Sequence, residues 1–176
     1  CSAALYPYLA GESRNASILS AFFLHEASIT AGGYAADLRA AADAAAEFGA
    51  AGPKILAVTV LTSLDQTDLE DVGIVGRTPA EQVQAMAAFA VENGAHGLVC
   101  SPKEVGALSK ALKAGTLFIT PGVRPAGAAV GDQKRVTTPA LARELGSDYI
   151  VVGRSITGAE DPVAAYRRCV KEFLGK

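Results

Sequence analysis

Two arginines and a glutamine in this sequence have the chemistry and the spacing of a phosphate site. Arg124 comes shortly after the apolar run Leu117-Phe118-Ile119, and Arg154 comes shortly after a second run, Tyr149-Ile150-Val151-Val152. Gln133 lies in the segment between these runs. The planar guanidinium of arginine suits phosphate, and the glutamine amide adds a neutral donor. The three side chains therefore predict a site for a phosphorylated small molecule.

The elements that must position these side chains are parallel strands. Continuous apolar runs are typical of strands buried on both faces of a parallel sheet, and they predict four strands, near residues 54–61, 97–100, 117–120 and 149–153. On this prediction, two buried strands each finish on an arginine. In (β/α) barrels, the loops after the last two strands are the usual phosphate site.

Helix start signals alternate with these runs. Four predicted helices have a capping oxygen directly before a proline, at Thr78-Pro79, Ser101-Pro102, Thr138-Pro139 and Asp161-Pro162. Thr67 with Glu70 predicts the capping box of a further short helix, and Gly49 predicts the C′ stop of a helix over 34–48. Alternating strands and capped helices are typical of βαβ units and predict an α/β fold.

The segment from Pro121 to Thr137 is too long for an ordinary connection between a strand and a helix. Such connections usually take about 2–6 residues. Longer loops in compact domains are commonly lids or binding loops, so this one predicts a functional loop rather than a tolerated insertion.

Composition limits the class of protein. The chain has 176 residues, 50% hydrophobic and 19% charged, which predicts one well-buried domain rather than disorder. A net charge of −2 points to neither nucleic acid nor an anionic membrane as a partner, and no apolar run reaches the roughly 18 residues of a membrane span. The odd number of cysteines (Cys1, Cys100 and Cys169) favours reduced thiols and a cytoplasmic protein.

Residues 1–31 are interpreted as an atypical N-terminal segment, and 32–176 as the main body of the fold. Ile18 to Leu24 is predicted as either a strand or a buried helical turn, because periodicity cannot separate the two over so short a run. His25-Glu26 is interpreted as a solvated pair rather than a catalytic dyad. The chain begins with Cys1 and its one methionine is Met86, which predicts a fragment or an altered N-terminus.

Five motifs, taken together and in their order along the chain, resemble the orotidine 5′-phosphate decarboxylase family from about Gly32 to the C-terminus. Each motif alone is weak, but the set is specific. The motifs are Val58-Thr59-Val60-Leu61-Thr62-Ser63, Val99-Cys100-Ser101, Thr120-Pro121-Gly122-Val123-Arg124-Pro125, Gly131-Asp132-Gln133 and Val152-Gly153-Arg154.

This resemblance implies a (β/α)8 TIM barrel, normally a homodimer, that converts orotidine 5′-phosphate to UMP and CO2 without cofactor or metal. It implies that Arg124, Gln133 and Arg154 bind the substrate phosphate, with a backbone contact from Gly153. It also implies that Thr62 contacts the pyrimidine.

The sequence departs from the family at the proton-transfer residues. The family uses an Asp-x-Lys-x-x-Asp run, whose lysine protonates the carbanion left when CO2 departs, and no such run is present here. The nearest string, Asp132-Gln133-Lys134, lacks the closing aspartate and lies in the phosphate loop, so it is interpreted as a coincidence. No catalytic residue is identified.

Length agrees with this departure. A (β/α)8 barrel typically takes about 250 residues, so 176 residues predict an incomplete barrel with its last four to five βα units. An open barrel exposes strand edges and core side chains, which predicts self-association.

Two other functions stay open. One is a non-catalytic half barrel that binds phosphate or nucleotide, and the other is a different phosphate-binding TIM-barrel enzyme, such as an epimerase or a sugar-phosphate decarboxylase. Thr62-Ser63 and Gly131-Asp132-Gln133 favour the pyrimidine enzyme over this last alternative.

Overall fold

A computed structural model of the protein describes residues 31–126 and 136–176. The predictions for Ile18 to Leu24 and for His25-Glu26 lie outside these ranges, as do Gln133 and the nearby Asp132 and Lys134. The phosphate role of Gln133 therefore stays a prediction.

Within the described ranges, seven α-helices and four strands follow one another along the chain, with a 3-10 turn at Gly49–Ala51 after the first helix. The elements are α1 (Ala31–Ala46), β1 (Leu56–Val58), α2 (Gln66–Asp71), α3 (Pro79–Glu92), β2 (Gly97–Val99), α4 (Pro102–Ala111), β3 (Leu117–Thr120), α5 (Pro139–Glu144), β4 (Tyr149–Ile150), α6 (Arg154–Thr157) and α7 (Pro162–Leu174).

The four strands form one sheet in the order β1-β2-β3-β4, and every neighbouring pair is parallel. Leu56, Gly97 and Leu117 stand side by side in register across the first three strands. Parallel neighbours need crossover connections, and helices supply them between successive strands. The predicted α/β fold is confirmed, and all four predicted strands are present: β3 has its predicted bounds, and the other three are shorter than predicted.

The hydrophobic core lies between the sheet and the helices α1, α3 and α4. Leu98 on β2 is fully buried at its centre. Burying a leucine or valine side chain contributes about 1.5–3 kcal/mol, so this layer stabilises the strands that carry the candidate site. Its other large members include Leu38, Ile55, Leu69, Val83, Val105, Leu108 and Phe118.

The predicted helix starts are confirmed at all four proline-containing signals. At α3, the Glu81 amide donates to Thr78 Oγ1 (3.3 Å), and the Thr78 amide donates to Glu81 Oε2 (2.8 Å). Ser101 and Glu104 form the same reciprocal pair at α4, where the Ser101 amide lies 2.8 Å from Glu104 Oε2. Thr138 and Asp161 cap α5 and α7 through single side-chain bonds. These caps satisfy donors that a helix leaves free at its first turn.

The predicted capping box of Thr67 and Glu70 is wrong. Asp65 caps α2 instead: its Oδ1 accepts from the Asp68 amide (3.2 Å), and its own amide donates to Asp68 Oδ2 (2.8 Å). The two alternatives overlap in sequence, and starting the helix at Gln66 places Leu69 in the core.

Two further expectations needed correction. Helix α1 ends at Ala46, and Gly49 (φ +57°) opens the following 3-10 turn rather than stopping the helix directly. Strand β4 was expected to be buried, but Tyr149 and Val151 are each 49% exposed. The reason is that β4 is the last strand of the sheet and has a single neighbour, β3, among the strands that the structure describes.

Candidate functional site

The C-terminal ends of β3 and β4 lie side by side. Ile119 pairs with Tyr149 and Thr120 with Ile150, and the Val151 amide continues the pairing by donating to the Thr120 carbonyl at 2.9 Å. Segments that leave these two strands therefore start from the same side of the sheet, the edge formed by the C-terminal ends of the strands. This is the edge at which parallel α/β sheets bind their ligands.

Side-chain bonds reinforce this short strand pair. The buried Thr120 hydroxyl lies 2.9 Å from the Ser147 hydroxyl and 3.2 Å from the Tyr149 carbonyl oxygen. The Phe118 amide donates to Asp148 Oδ2 at 2.8 Å. These three contacts join residues 27 to 30 positions apart, so they fix β4 against β3.

The chain turns sharply after β3. Pro121 is followed by Gly122 at φ +76°, a conformation that side chains with a Cβ rarely adopt. After this turn, Val123 pairs with Thr137: the Arg124 amide donates to the Thr137 carbonyl (2.9 Å), and the Thr137 amide donates to the Gly122 carbonyl (3.1 Å). The long predicted loop is thus closed at its base by two backbone hydrogen bonds.

Arg124 is buried at this base. Its side chain is part of a residue that is only 7% exposed, and its Nη1 donates to the Val123 carbonyl at 2.9 Å. A guanidinium keeps its charge at all ordinary pH values and offers five N–H donors, of which this bond uses one. No carboxylate of the described residues pairs with Arg124, and a buried cation without a counter-charge is costly, so the position favours an anionic ligand.

Arg154 and Gly153 follow the neighbouring strand. Gly153 directly precedes α6, and its carbonyl accepts from the Ile156 and Thr157 amides at 2.8 and 3.1 Å. Arg154 is the first residue of α6 and its side chain is exposed. The two arginines thus follow adjacent parallel strands, one buried and one at the surface.

Thr62 lies farther along the same edge. It follows β1 by four residues and is buried. Neighbouring strands are about 4.8 Å apart, so the C-terminal ends of β1 and β3 are separated by about 10 Å. This spacing fits a ligand whose two ends are bound after different strands.

Lys54 lies at the opposite edge of the sheet, where the strands begin. The neighbouring Ile55 amide donates to Nδ1 of His96, which directly precedes β2. Burial lowers the pKa of His96, and the positive charges of Lys54 and Lys113 lower this pKa further. Lys54 therefore lies away from the arginines.

Thr137 carries a buried hydroxyl with no hydrogen-bond partner among the described groups. Its neighbour Thr138 has the opposite role, because Thr138 Oγ1 accepts from the Leu141 amide at the start of α5. An unsatisfied buried hydroxyl costs about 1–3 kcal/mol, and losing a threonine cap costs about 1 kcal/mol.

We therefore expect the two adjacent threonines to respond in opposite directions to the same substitution. Thr137→Val should raise the melting temperature by about 2–4 °C, and Thr138→Val should lower it by a similar amount. Calorimetry of both variants beside the wild-type chain tests this expectation. A fall in melting temperature for Thr137→Val would show that its hydroxyl is bonded after all.

The described residues also include possible metal ligands and two thiols. In residues 31–126 and 136–176, no three His, Cys, Asp or Glu side chains cluster closely enough to hold a metal ion. Cys100 and Cys169 are buried thiols, and burial raises the pKa of Cys169. Among the helices described, none combines the length and apolar character of a membrane span.

Comparison with known proteins identifies the family. The model of the orotidine 5′-phosphate decarboxylase / HUMPS family matches residues 16–169, most of the chain. The chain belongs to this family. The decarboxylase of Anaeromyxobacter dehalogenans is 48% identical over 157 residues, which cover 89% of this chain and 66% of that protein. The decarboxylase of Streptococcus mutans is 49% identical over 124 residues, 70% of this chain and 54% of that protein.

Solved structures agree with the family assignment. Orotidine 5′-phosphate decarboxylase from Lactobacillus acidophilus has a TM-score of 0.66 and 40% identity, over 81% of this chain and 60% of that one. An uncharacterized conserved protein from Geobacillus kaustophilus gives 0.62 and 36%, over 82% of this chain and 61% of that one. The chain spans about half to two thirds of the length of its decarboxylase relatives. The predicted incomplete (β/α)8 barrel is thereby confirmed.

The decarboxylase motifs can now be placed on the fold. Thr62, Arg124, Gly153 and Arg154 all follow the C-terminal ends of strands, at one edge of the sheet. Gln133 lies outside the described residues. The base of the long loop, formed by the pairing of Val123 with Thr137, has no signal in the sequence, because neither residue type marks a backbone bridge.

Proposed function

We propose that this chain binds orotidine 5′-phosphate or UMP as the C-terminal part of an orotidine 5′-phosphate decarboxylase. The reaction is that of a carboxy-lyase, which releases CO2 from orotidine 5′-phosphate to give UMP in cytoplasmic pyrimidine synthesis. The main support is the buried guanidinium of Arg124, which lies after β3 and next to the strand that leads to Arg154. Family membership supports orotidine 5′-phosphate or UMP as the ligand.

The proposed roles follow the ends of the strands. Arg124 and Arg154 bind the phosphate oxygens through charge-assisted hydrogen bonds, and Gln133 adds a neutral amide. Gly153 offers backbone contact beside Arg154. Thr62 contacts the pyrimidine from the end of β1, about two strand spacings away from Arg124.

The chemistry of the whole reaction needs more than this site. Departure of CO2 leaves a carbanion, which needs a positioned cation and a proton donor. The sequence has no Asp-x-Lys-x-x-Asp run, and we assign no catalytic residue. A nucleotide-binding half barrel without turnover is therefore the second candidate function, and the missing run is the observation that favours it.

The ligand class follows from the relatives. The family description covers a second group of proteins besides the decarboxylases, but the relatives compared above carry the decarboxylase name. We therefore prefer the pyrimidine nucleotide to another phosphorylated ligand.

We also propose a homodimer, because Tyr149 and Val151 expose apolar surface at β4, the last strand of the described sheet.

Calorimetric titration with UMP, uridine and inorganic phosphate tests the proposed ligand. UMP should bind more tightly than uridine, because the charge-assisted bonds to phosphate contribute about 1.5–3 kcal/mol each. Arg124→Gln should weaken UMP binding by about 10- to 100-fold and leave uridine binding nearly unchanged.

Arg167→Gln is the matched control, because it removes the same charge from the exposed face of α7. The control should bind UMP as the wild-type chain does. Equal affinity for UMP and uridine, or unchanged UMP binding in Arg124→Gln, would disprove the assignment of the phosphate site.

A further inference from the structure

Arg168 on α7 contacts the segment of the chain that carries Arg124. Its Nη2 donates to the carbonyl of Ala126 at 2.9 Å, a contact between residues 42 positions apart. Ala126 lies two residues after Arg124, in the first part of the long loop, and is the last residue described before residue 136. The hydrogen bond therefore ties the last helix to the start of this loop.

A second bond orients the Arg168 guanidinium. Its Nε donates to Glu172 Oε1 at 2.8 Å, one helical turn further along α7. The Glu172 side chain is only 25% exposed, compared with 56% for Arg168, so the carboxylate is the better fixed of the two. Because the guanidinium is planar, holding its Nε side sets the direction of Nη2.

The segment from Arg124 to Ala126 is consequently held at three points. The Arg124 amide is bonded to Thr137, its Nη1 to the Val123 carbonyl, and the Ala126 carbonyl to Arg168. Pro125 lies between Arg124 and Ala126 and has a fixed φ, so the position of Ala126 restricts the position of Arg124. Without Arg168, the bond to Thr137 and the local bond to Val123 would remain, and the Ala126 end of the segment would lose its bond to α7.

Helix α7 is a suitable anchor because it is itself fixed to α5. Arg143 of α5 donates from Nη1 to the carbonyls of Glu172 and Phe173 at 3.3 Å each, at the C-terminal end of α7. The Cys169 side chain, next to Arg168, is buried beneath the helix. Arg143 thus stabilises the same helix without touching the segment that carries Arg124.

We propose that Arg168 is a positioning residue, which holds the Arg124 segment where its guanidinium can bind the phosphate of the ligand. The proposal rests on the proposed function for the identity of that ligand. Arg168 acts through the Ala126 carbonyl, and the bond it makes there is independent of any ligand.

Titration with UMP and uridine tests the effect on binding. Arg168→Gln should weaken UMP binding by about 3- to 10-fold while uridine binding stays unchanged. Arg168→Lys should fail to restore UMP affinity, because an ammonium group cannot bond Glu172 and the Ala126 carbonyl with one rigid fork. Arg143→Gln is the matched control: it should lower the melting temperature but leave the affinity for UMP as in the wild-type chain.

Amide hydrogen exchange tests the anchoring without a ligand. In Arg168→Gln, the Arg124 and Thr137 amides should exchange at least about tenfold faster, while the Phe118 and Val151 amides keep their wild-type rates. Unchanged exchange at Arg124 and Thr137 would overturn the inference even if the wild-type chain binds UMP. An equal loss of UMP affinity in Arg143→Gln would also overturn it, since the effect would then reflect general loosening of α7.

A failure of the proposed function would look different. If the wild-type chain binds neither UMP nor phosphate, the ligand assignment is wrong, and with it the binding role of Arg168. Faster exchange at Arg124 and Thr137 would in that case still establish Arg168 as the residue that anchors the loop base.

Discussion

Replacing Gly97 with alanine should lower the melting temperature of the chain by about 6–12 °C. A Cβ at this position would lie 2.7 Å from both the Cβ and the carbonyl oxygen of Leu117, and 2.9 Å from a Leu56 methyl group. Leu56 and Leu117 are the register partners of Gly97 on the two neighbouring strands. Both residues therefore occupy the space that a side chain at position 97 would need. The carbonyl oxygen belongs to the backbone and cannot move aside without shifting β3.

The expected size follows from the cost of overpacking. An extra methyl group in a well-packed core costs about 1–3 kcal/mol, and a backbone clash belongs at the upper end of that range. In a domain of this length, each kcal/mol changes the melting temperature by about 2–4 °C. Because the segment with Arg124 follows β3, we also expect weaker UMP binding.

Gly106→Ala is the matched control for this substitution. Gly106 lies inside α4, and a Cβ there would meet no atom within 4 Å. Alanine in a helix interior is favoured over glycine by about 0.5–1 kcal/mol, so this variant should melt slightly above the wild-type chain. If Gly97→Ala melts as high as Gly106→Ala, the close approach of the three strands is wrong.

Local chemistry explains why much of this fold could be predicted from sequence. Thr78-Pro79 and Ser101-Pro102 start helices because the cap and the proline act within one turn, whatever surrounds them. The apolar runs before Arg124 and Arg154 predicted neighbouring strands for a similar reason, since parallel strands buried on both faces need continuous apolar sequence.

Features that depend on distant residues could not be predicted in this way. Asp65 and Thr67 can both cap a helix, and the burial of Leu69 in the core favours the first. Tyr149 has the composition of a buried strand residue, but its exposure depends on which strand lies beside it. The bond from Arg168 to Ala126 joins residues 42 positions apart, and no pattern in the sequence marks it.

The second large effect that we expect is the absence of turnover. The purified 176-residue chain should leave the absorbance of orotidine 5′-phosphate unchanged, although it binds UMP weakly. Enzymes commonly accelerate their reactions by about a million-fold or more, so a missing catalytic group is readily detected against the uncatalysed rate. Weak binding is expected because ordering the loops of an incomplete barrel around UMP costs free energy, which offsets part of the gain from the contacts.

The positions of the lysines give the physical reason. Lys54 lies at the edge of the sheet where the strands begin, close to His96. Lys103 is in the first turn of α4 with its side chain in solvent. Lys134 lies outside the described residues, in the loop that we assign to the phosphate rather than the pyrimidine. None of the three is placed by sequence or structure to protonate a carbanion beside Thr62.

The assay follows the absorbance of orotidine 5′-phosphate with the wild-type chain, with Lys134→Ala and with Arg124→Gln. We expect all three samples to match the rate in buffer alone. Turnover by the wild-type chain that is lost in both variants would assign catalysis to Lys134 and reverse the interpretation of Asp132-Gln133-Lys134 as a coincidence. Turnover lost in Arg124→Gln but kept in Lys134→Ala would instead show that the phosphate site is correct and that another group, which we have not identified, supplies the proton.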